Sequence, residues 1–307
     1  MPRFDVTIAG ELNLDLILYG LPEELPPERE LLTDRMMLTL GASSAIVAHN
    51  LASLGGRVGF QSRIGDDSLG AIALERLAQS GVDVSHVRKV PGTTKSGLSV
   101  ILQRRDWRTI LTYAGTIVEL TLRDLDFDFL TDSRHFHLSS FYLQKGLSPQ
   151  VPDLFKKIKA AGLTISLDTN DDPDDRWGGQ LMEALKYVDV FLPNEREAMK
   201  VARTNDLDAA VSKLAELVPI VAVKLGQDGA MARRGSEIIK SPALRVDFVD
   251  PVGAGDSFDA GFLHQFVRGA DLRTCVASGN RAGAFSTTRP GGTEAFRDRE
   301  YREKFFG

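Results

Sequence analysis

The chain reads as an α/β fold, a Rossmann-like three-layer arrangement in which a parallel sheet is covered by helices, with a small β-sheet beside it. Three observations predict this. From Phe136 onward, short apolar runs alternate with helical stripes, the rhythm of strand–crossover–strand units. Polar residues gather where the strand-like runs end: Asn13 and Asp15, Asp66 and Asp67, Asp168 and Asn170, Asn194 and Glu197, Gly226, and Gly253 to Asp256. Ligands of open α/β sheets bind at those strand ends. Strand-like stretches at about 11–45 and 96–115 fall outside the rhythm. They form a small sheet without its own core, which must pack over the site as a lid or against another subunit. With 307 residues, 43% of them hydrophobic, the chain is read as a single domain over 1–307.

Each element follows from local pattern. Phe4 to Ala9 is the first strand, ending at Gly10, and Leu14 to Leu18 continues it past the polar Asn13 and Asp15. Gly20 to Arg29 is rich in Pro and Glu and reads as a loop, and Met36 to Leu40 as a strand apart from the main sheet. Ser43 to Leu54 is a helix stopped by Gly55-Gly56. Val58 to Ile64 is a strand. Asp66 to Ser80 is a helix with Leu69, Ala73 and Leu77 on one stripe, closed by Gly81. Ser96 to Leu102 and Arg108 to Tyr113 are two strands joined by a charged turn. Strands follow at 135–138, 163–167, 188–192 and 220–225, helices at 151–161, 181–185, 195–201 and 207–217, and a hairpin at 230–239 turns around Gly235. Leu244, Val246, Phe248 and Val249 make a strand pattern that runs into a Gly-rich turn, and helices at 256–267 and 272–285 complete the chain.

Composition excludes several classes. Lys plus Arg is 37 against 42 for Asp plus Glu, a formal charge of −5, and no long basic run is present, so nucleic acid is not the expected partner. No apolar run reaches membrane-spanning length, so no membrane partner is expected. The N-terminal residues enter a strand directly without a leader pattern, and the expectation is a cytoplasmic protein. Cys275 is alone and lies in an apolar helical pattern, so it reads as a buried thiol. His135 and His137 alternate along a strand without zinc spacing. Arg104 and Arg105, near Arg108, read as solvated surface or as the rim of an anion pocket.

The richest stretch is Asp250-Pro251-Val252-Gly253-Ala254-Gly255-Asp256-Ser257-Phe258. Small residues let the backbone approach a ligand, and a turn opening a helix offers N–H groups to an anion. No Lys-Ser or Lys-Thr pair follows, so it is not a Walker loop, and it lacks the third glycine of a dinucleotide fingerprint. Phosphoryl transfer to a hydroxyl needs a base, a charge clamp and a divalent ion. Asp256 is the natural base, with the N–H groups of Ala254, Gly255 and Asp256 holding the developing charge. Asn194 and Glu197 share a helix face and suit magnesium, or form a capping box, or both. Asn50 interrupts the apolar stripe of Ile46, Val47, Leu51 and Leu54, so it serves structural hydrogen bonding or a ligand hydroxyl. Asn13 and Asp15 point to one side of an extended segment, where a polyol is read by paired donors and acceptors.

These residues make the chain resemble the PfkB, or ribokinase-like, family of carbohydrate and nucleoside kinases over essentially its whole length. The 250–258 segment carries the C-terminal signature. Gly41 to Gly56 with Asn50, then Arg63-Ile64-Gly65-Asp66-Asp67 and Gly70, carry a looser N-terminal one. Asn194 to Glu197 is similar to the family's Asn-x-x-Glu motif, 224–229 to its nucleotide loop, and 280–292 to its adenine and cation region. The resemblance implies a ribokinase-like sheet with a β lid, ATP as donor and a primary hydroxyl as acceptor. It implies Asp256 as base in an anion hole of Gly253, Ala254 and Gly255. Asn194 and Glu197 would organise Mg2+ and phosphates, and Lys224, Gly226, Gly229, Gly255 and Asn280 would bind nucleotide. Asn13, Asp15, Gly41 and Asn50 would face the sugar, and a K+ site would lie near Asp250, Val252, Ser286 and Gly291.

Two departures bear on the acceptor. Ala42 stands where the family shows a second glycine, and the stretch 168–173 lacks an Arg often found after the Asn. Asn13 with Asp15 resembles the ribokinase and fructokinase branches, so ribose or a ketohexose such as fructose is the expected acceptor. Alternatives are a nucleoside, read by aromatic lid residues near Tyr113, 2-keto-3-deoxygluconate, or a phosphosugar read by Arg104, Arg105 or Arg108. A sugar-binding protein without catalysis is the alternative of another class. Exposed lid edges predict a homodimer.

Overall fold

The computed structural model describes residues 2–104 and 108–307, so Arg105 lies outside the described residues. The strands are β1 (Phe4–Ala9), β2 (Leu14–Tyr19), β3 (Arg35–Leu40), β4 (Val58–Gly65), β5 (Asp83–Val90), β6 (Leu98–Gln103), β7 (Arg108–Tyr113), β8 (Ser133–Leu138), β9 (Thr164–Leu167), β10 (Val190–Phe191), β11 (Ile220–Lys224), β12 (Ala230–Arg234) and β13 (Glu237–Ser241). The helices are α1 (Ser43–Ser53), α2 (Ser68–Gln79), α3 (Phe127–Thr131), α4 (Val151–Ala160), α5 (Gln180–Leu185), α6 (Glu195–Ala202), α7 (Leu207–Ala215), α8 (Ala254–Phe266), α9 (Leu272–Ser286), α10 (Glu294–Arg297) and α11 (Arg299–Phe306). Among the described residues the main sheet has nine strands in the order β13-β12-β11-β10-β9-β8-β1-β4-β5. Neighbours from β11 through β5 pair parallel, and β12 and β13 add an antiparallel hairpin.

Alternation along the strands divides the core into two layers. In β11, Val221 and Val223 join a core with Leu154, Phe155 and Ile158 of α4 and Leu214 of α7. Ile220 and Ala222 face the opposite core, with Leu51 of α1, Phe258 and Phe262 of α8, and Val276 of α9. This is the three-layer fold expected. The polar members of the central strands are satisfied within it. The imidazoles of His135 and His137 are linked through Ser166, at 2.7 Å each, and continue to Thr164 and Ser139 at the same distance. Hydroxyl partners occupy those ring nitrogens. Cys275 is buried and free, as read.

The second sheet has the order β3-β2-β6-β7. Here β2 is not a continuation of β1 but a separate strand, pairing antiparallel with β3 and parallel with β6. Cross-strand partners share a face, so Thr39, Asp15, Ser99 and Thr112 form one row and Met37, Ile17, Ile101 and Ile110 the next. Ile17 and Ile101 pack on Val252, which fixes this as the inner face.

Two readings of local structure change. The strand expected through Leu244, Val246, Phe248 and Val249 is irregular, and Leu244, Phe248 and Val249 are exposed. The end of that segment is tied to the C-terminus of α9, with Val249 N donating to Thr287 O at 2.8 Å. Conversely, Asp83–Val90 forms the edge strand β5, which its half-buried, bulged pattern conceals from periodicity. No helix among the described residues is long and apolar enough to cross a membrane.

Candidate active site

The Gly-rich turn stands where α8 begins. Gly253 has φ 72°, and a Cβ there would meet Gly292 Cα at 2.4 Å, so only glycine fits. The first N–H groups of a helix lack intrahelical acceptors. Ala254 N meets Pro251 O at 3.3 Å and Ser257 N meets Gly253 O at 2.9 Å. The Ala254 amide thus has a turn partner in this structure. Gly255 and Asp256 supply the first-turn amides that remain.

Asp256 is buried, 8% exposed. Burial pushes its carboxyl up to about 6, the Asp168 charge adds to this, and Lys224 and the Ser43 hydroxyl oppose it. Lys224, from the end of β11, places Nζ 2.7 Å from Asp168 Oδ2 and 3.3 Å from Asp259 Oδ1. The two carboxylates keep the ammonium charged despite its burial. Asp259, one turn beyond Asp256 on α8, is given no role by sequence reasoning.

Facing Asp256 across the cleft is Asp15 of β2. Burial, and then the Asp256 charge, push its carboxyl up to about 7. A Cβ on Gly41 would stand 2.1 Å from Asp15 Oδ1, so Gly41 makes room for that carboxylate. Asn13 donates Nδ2 to Leu14 O at 2.9 Å and approaches Asp15 Oδ1 at 3.5 Å. Asn50 belongs elsewhere. It is fully buried, donates Nδ2 to Ser257 Oγ and Gly292 O at 2.9 Å each, and pairs with His49. Its amide fastens α1 to α8, so its structural reading holds rather than the sugar contact. Glu11 was also missed. This buried acid, at the end of β1, accepts from Ser44 Oγ at 2.7 Å and orients the start of α1. Ser43 in turn accepts from Asn170 Nδ2 at 2.9 Å.

Asn194 caps α6, and Glu197 completes a capping box, with Asn194 N donating to Glu197 Oε2 at 2.9 Å and Glu197 N to Asn194 Oδ1 at 2.9 Å. Glu197 is buried. Burial and then the Asp168 charge push its carboxyl up to about 7, a state that a cation would reverse. Gly226, φ 59°, presents an open face with nothing within 4 Å of a built Cβ. Gly229 and Asn280 lie behind the loop after β13. A Cβ on Gly229 would meet Ser241 O at 2.2 Å, and Asn280 donates Nδ2 to Ser241 O at 2.9 Å and Pro242 O at 3.2 Å. Asn280 Nδ2 thus ties α9 to that loop. Among the described residues, no three His, Cys, Asp or Glu side chains gather as a metal cage.

Asp250, Val252, Ser286 and Gly291 do converge. Asp250 is fully buried, its Oδ1 accepting from Val252 N at 2.8 Å and its Oδ2 from Gly291 N at 3.3 Å and from the Tyr19 hydroxyl. Ser286 Oγ donates to Gly292 O at 3.5 Å. These hard oxygens fit a monovalent cation.

On the lid, Arg104 donates to Glu23 O, and Arg108 lies on exposed β7, where its charge opposes the upward shift of Asp15. Tyr113 pairs with Leu98 and so faces away from the row of Asp15, Ser99 and Thr112. An aromatic platform at Tyr113 for a nucleobase is therefore absent from the inner face.

The profile of the pfkB family of carbohydrate kinases matches residues 4–299. An ATP-dependent ribose-1-phosphate kinase from Halopiger xanaduensis is 30% identical over 296 residues, 94% of each chain. The adenosine kinase of Sinorhizobium meliloti superposes with TM-score 0.86 at 23% identity, covering 98% of this chain and 99% of that one. Arabidopsis thaliana ribokinase, complexed with ribose and ATP, superposes with TM-score 0.84 at 23% identity, covering 99% and 98%.

Proposed function

The chain belongs to the pfkB family of carbohydrate kinases, and on that premise we propose that it transfers the γ-phosphoryl group of ATP to the primary hydroxyl of a small unphosphorylated sugar, ribose or a ketohexose first. It is an ATP-dependent kinase of small polyol-like acceptors. The observation that carries the reading is the pairing of Asp256 with the anion turn at the start of α8, opposite the hydroxyl-bearing row of the lid. A carboxyl pushed up to about 6 is largely ionised at neutral pH yet basic enough to receive a proton.

In this mechanism Asp15, with Asn13 behind it, binds sugar hydroxyls and sets the primary hydroxyl near Asp256. Asp256 takes the hydroxyl proton as the new O–P bond forms and the bond to ADP breaks. The Gly255 and Asp256 amides hold the charge on the transferring group. Asn194 and Glu197 would hold magnesium, directly or through water, and the ion would supply neutralisation of phosphate charge when bound. Potassium at Asp250, Val252, Ser286 and Gly291 would steady the turn from behind. The polar row Thr39, Asp15, Ser99 and Thr112 favours a polyol over a nucleobase. Closure of the small sheet over the site excludes water. The domain is read as one unit over 1–307, with lid strands from 11–45 and 96–115.

The outer lid face carries Met36, Leu111 and Tyr113, 63%, 56% and 57% exposed, and suits a twofold partner. Light scattering at micromolar concentration tests the homodimer, and a monomer removes it. The assay that tests the activity is ATP consumption with magnesium and potassium across ribose, fructose, 2-keto-3-deoxygluconate, fructose 6-phosphate, adenosine and cytidine. We expect an acceptor-dependent rate with a free sugar that disappears in Asp256→Asn. Ligand binding with no transfer to any acceptor would instead favour a binding protein.

A further inference from the structure

The buried triad around Lys224 has a direction. The Lys224 side chain keeps 12% of its surface exposed, whereas Asp168 and Asp259 behind it keep 1% and 0%. The cation therefore lines the cleft and the anions stand at its back. A Cβ built on Gly255 would lie 3.6 Å from Lys224 Nζ, so the ammonium stands against the anion turn. The brace comes from two separate elements. Asp168 follows β9, and Asp259 leaves α8 one turn beyond Asp256, on the same helix face.

Stability does not account for this arrangement. A buried ion pair is commonly matched or bettered by apolar side chains of similar volume. Orientation does account for it. A lysine carries its charge on four flexible methylenes, and two carboxylates from different directions fix where that charge sits. We propose that Asp259 is a positioning residue that, with Asp168, holds Lys224 so that its ammonium meets the phosphoryl group in transit from nucleotide to acceptor. The inference rests on the kinase reading above. Lys224 keeps its proton throughout and neutralises charge, while the acceptor's proton goes to Asp256 and the electron pair of the broken P–O bond leaves with ADP.

The test separates the terminal phosphoryl from the rest of the nucleotide. Wild type, Asp259→Asn, Lys224→Met and Lys224→Arg are titrated calorimetrically with magnesium ADP and with magnesium adenylyl imidodiphosphate. In Lys224→Met we expect ADP affinity within twofold of wild type and a loss of tenfold or more in the triphosphate analogue's affinity. Asp259→Asn should lose threefold to tenfold on the analogue alone, and Lys224→Arg should retain most of it. Should Asp259→Asn fail to fold, the double variant Lys224→Gln with Asp259→Asn keeps a neutral hydrogen-bonding pair and should behave as Lys224→Met. Unchanged affinities for both nucleotides, or equal losses on both, would overturn the assignment and leave the kinase reading standing. A wild type that binds neither nucleotide would overturn both.

Discussion

The two walls of the cleft are built on opposite terms. The core wall draws Asp168 from the end of β9, Glu197 from α6, Lys224 from β11 and Asp256 with Asp259 from α8. The four acids are buried and Lys224 is partly so, and several hold one another through hydrogen bonds and ion pairs. The lid wall draws Thr39, Asp15, Ser99 and Thr112 from one four-stranded sheet, whose edge strand β7 is exposed along its whole length. That sheet rests on the core in part through Ile17, Ile101 and Val252. In the kinase proposed above, phosphoryl transfer demands sub-ångström placement, which the over-braced wall would supply. Acceptor recognition needs a wall that opens to admit a small polyol, which a sheet with an exposed edge strand would permit. The comparison predicts a split: substitutions in the core wall should fall on kcat, and substitutions in the lid wall on KM.

The largest expected effect is on the core side. Asp256→Asn should lower acceptor-dependent kcat by about a thousandfold, with acceptor KM little changed. Proton abstraction needs the ionised carboxylate, so the wild-type rate should fall as pH drops through about 6, and steady-state rates between pH 4.5 and 8 will show it. Stability runs the other way. A carboxyl raised above its ordinary value adds stability fully present below the unfolded pKa and lost as pH rises through about 6. Asp256→Asn should therefore melt higher than wild type at pH 7.5, by about 2 kcal/mol of stability, and gain little at pH 4. A variant that is both inactive and less stable at pH 7.5 would mean that Asp256 is structural, and the contrast between the walls would fail.

Gly253→Ala comes next. Its Cβ would press on Gly292 Cα at 2.4 Å, at φ 72°. Moving the turn should lower kcat about a hundredfold and cost about 2 kcal/mol in urea unfolding. On the lid, Asp15→Asn should raise acceptor KM about tenfold or somewhat more with kcat within threefold. A loss confined to kcat would place Asp15 in the chemistry and erase the distinction.

The walls also differ in how plainly the sequence shows them. Gly253, Gly255 and Asp256 form one contiguous motif whose spacing states its chemistry, and Asn194 and Glu197 announce a capped helix. Asp168 was visible only as a polar residue at a strand end. Asp259 and Glu11 were not visible as site residues, because each acts through a partner distant in sequence, Lys224 and Ser44. Asn50 left two readings open because an Asn in an apolar stripe signals a partner without saying which, and its amide fastens α1 to α8. The lid was legible as stray strands, but its faces were not. Only the register that pairs Asp15 with Ser99, and Ser99 with Thr112, separates the polar row from Tyr113.

The smallest effect lies where the walls meet. Ala42 precedes α1 with φ 65° and ψ 125°, a conformation glycine adopts freely and alanine does not. Its neighbour Gly41 is pressed against Asp15, and α1 is anchored from the other side by Glu11 on Ser44, so the surroundings hold the strained peptide in place. Ala42→Gly relieves that strain but also loosens the unfolded chain, which offsets part of the gain. The net should be a stabilisation of about 1 kcal/mol, read as a shifted urea midpoint with unchanged slope. Because this turn holds Gly41 against Asp15 of β2, the same variant should alter acceptor KM and leave kcat alone. If kcat moved instead, the Ala42 strain would belong to the core wall and its chemistry, and the boundary drawn here between the two walls would have to shift to include α1.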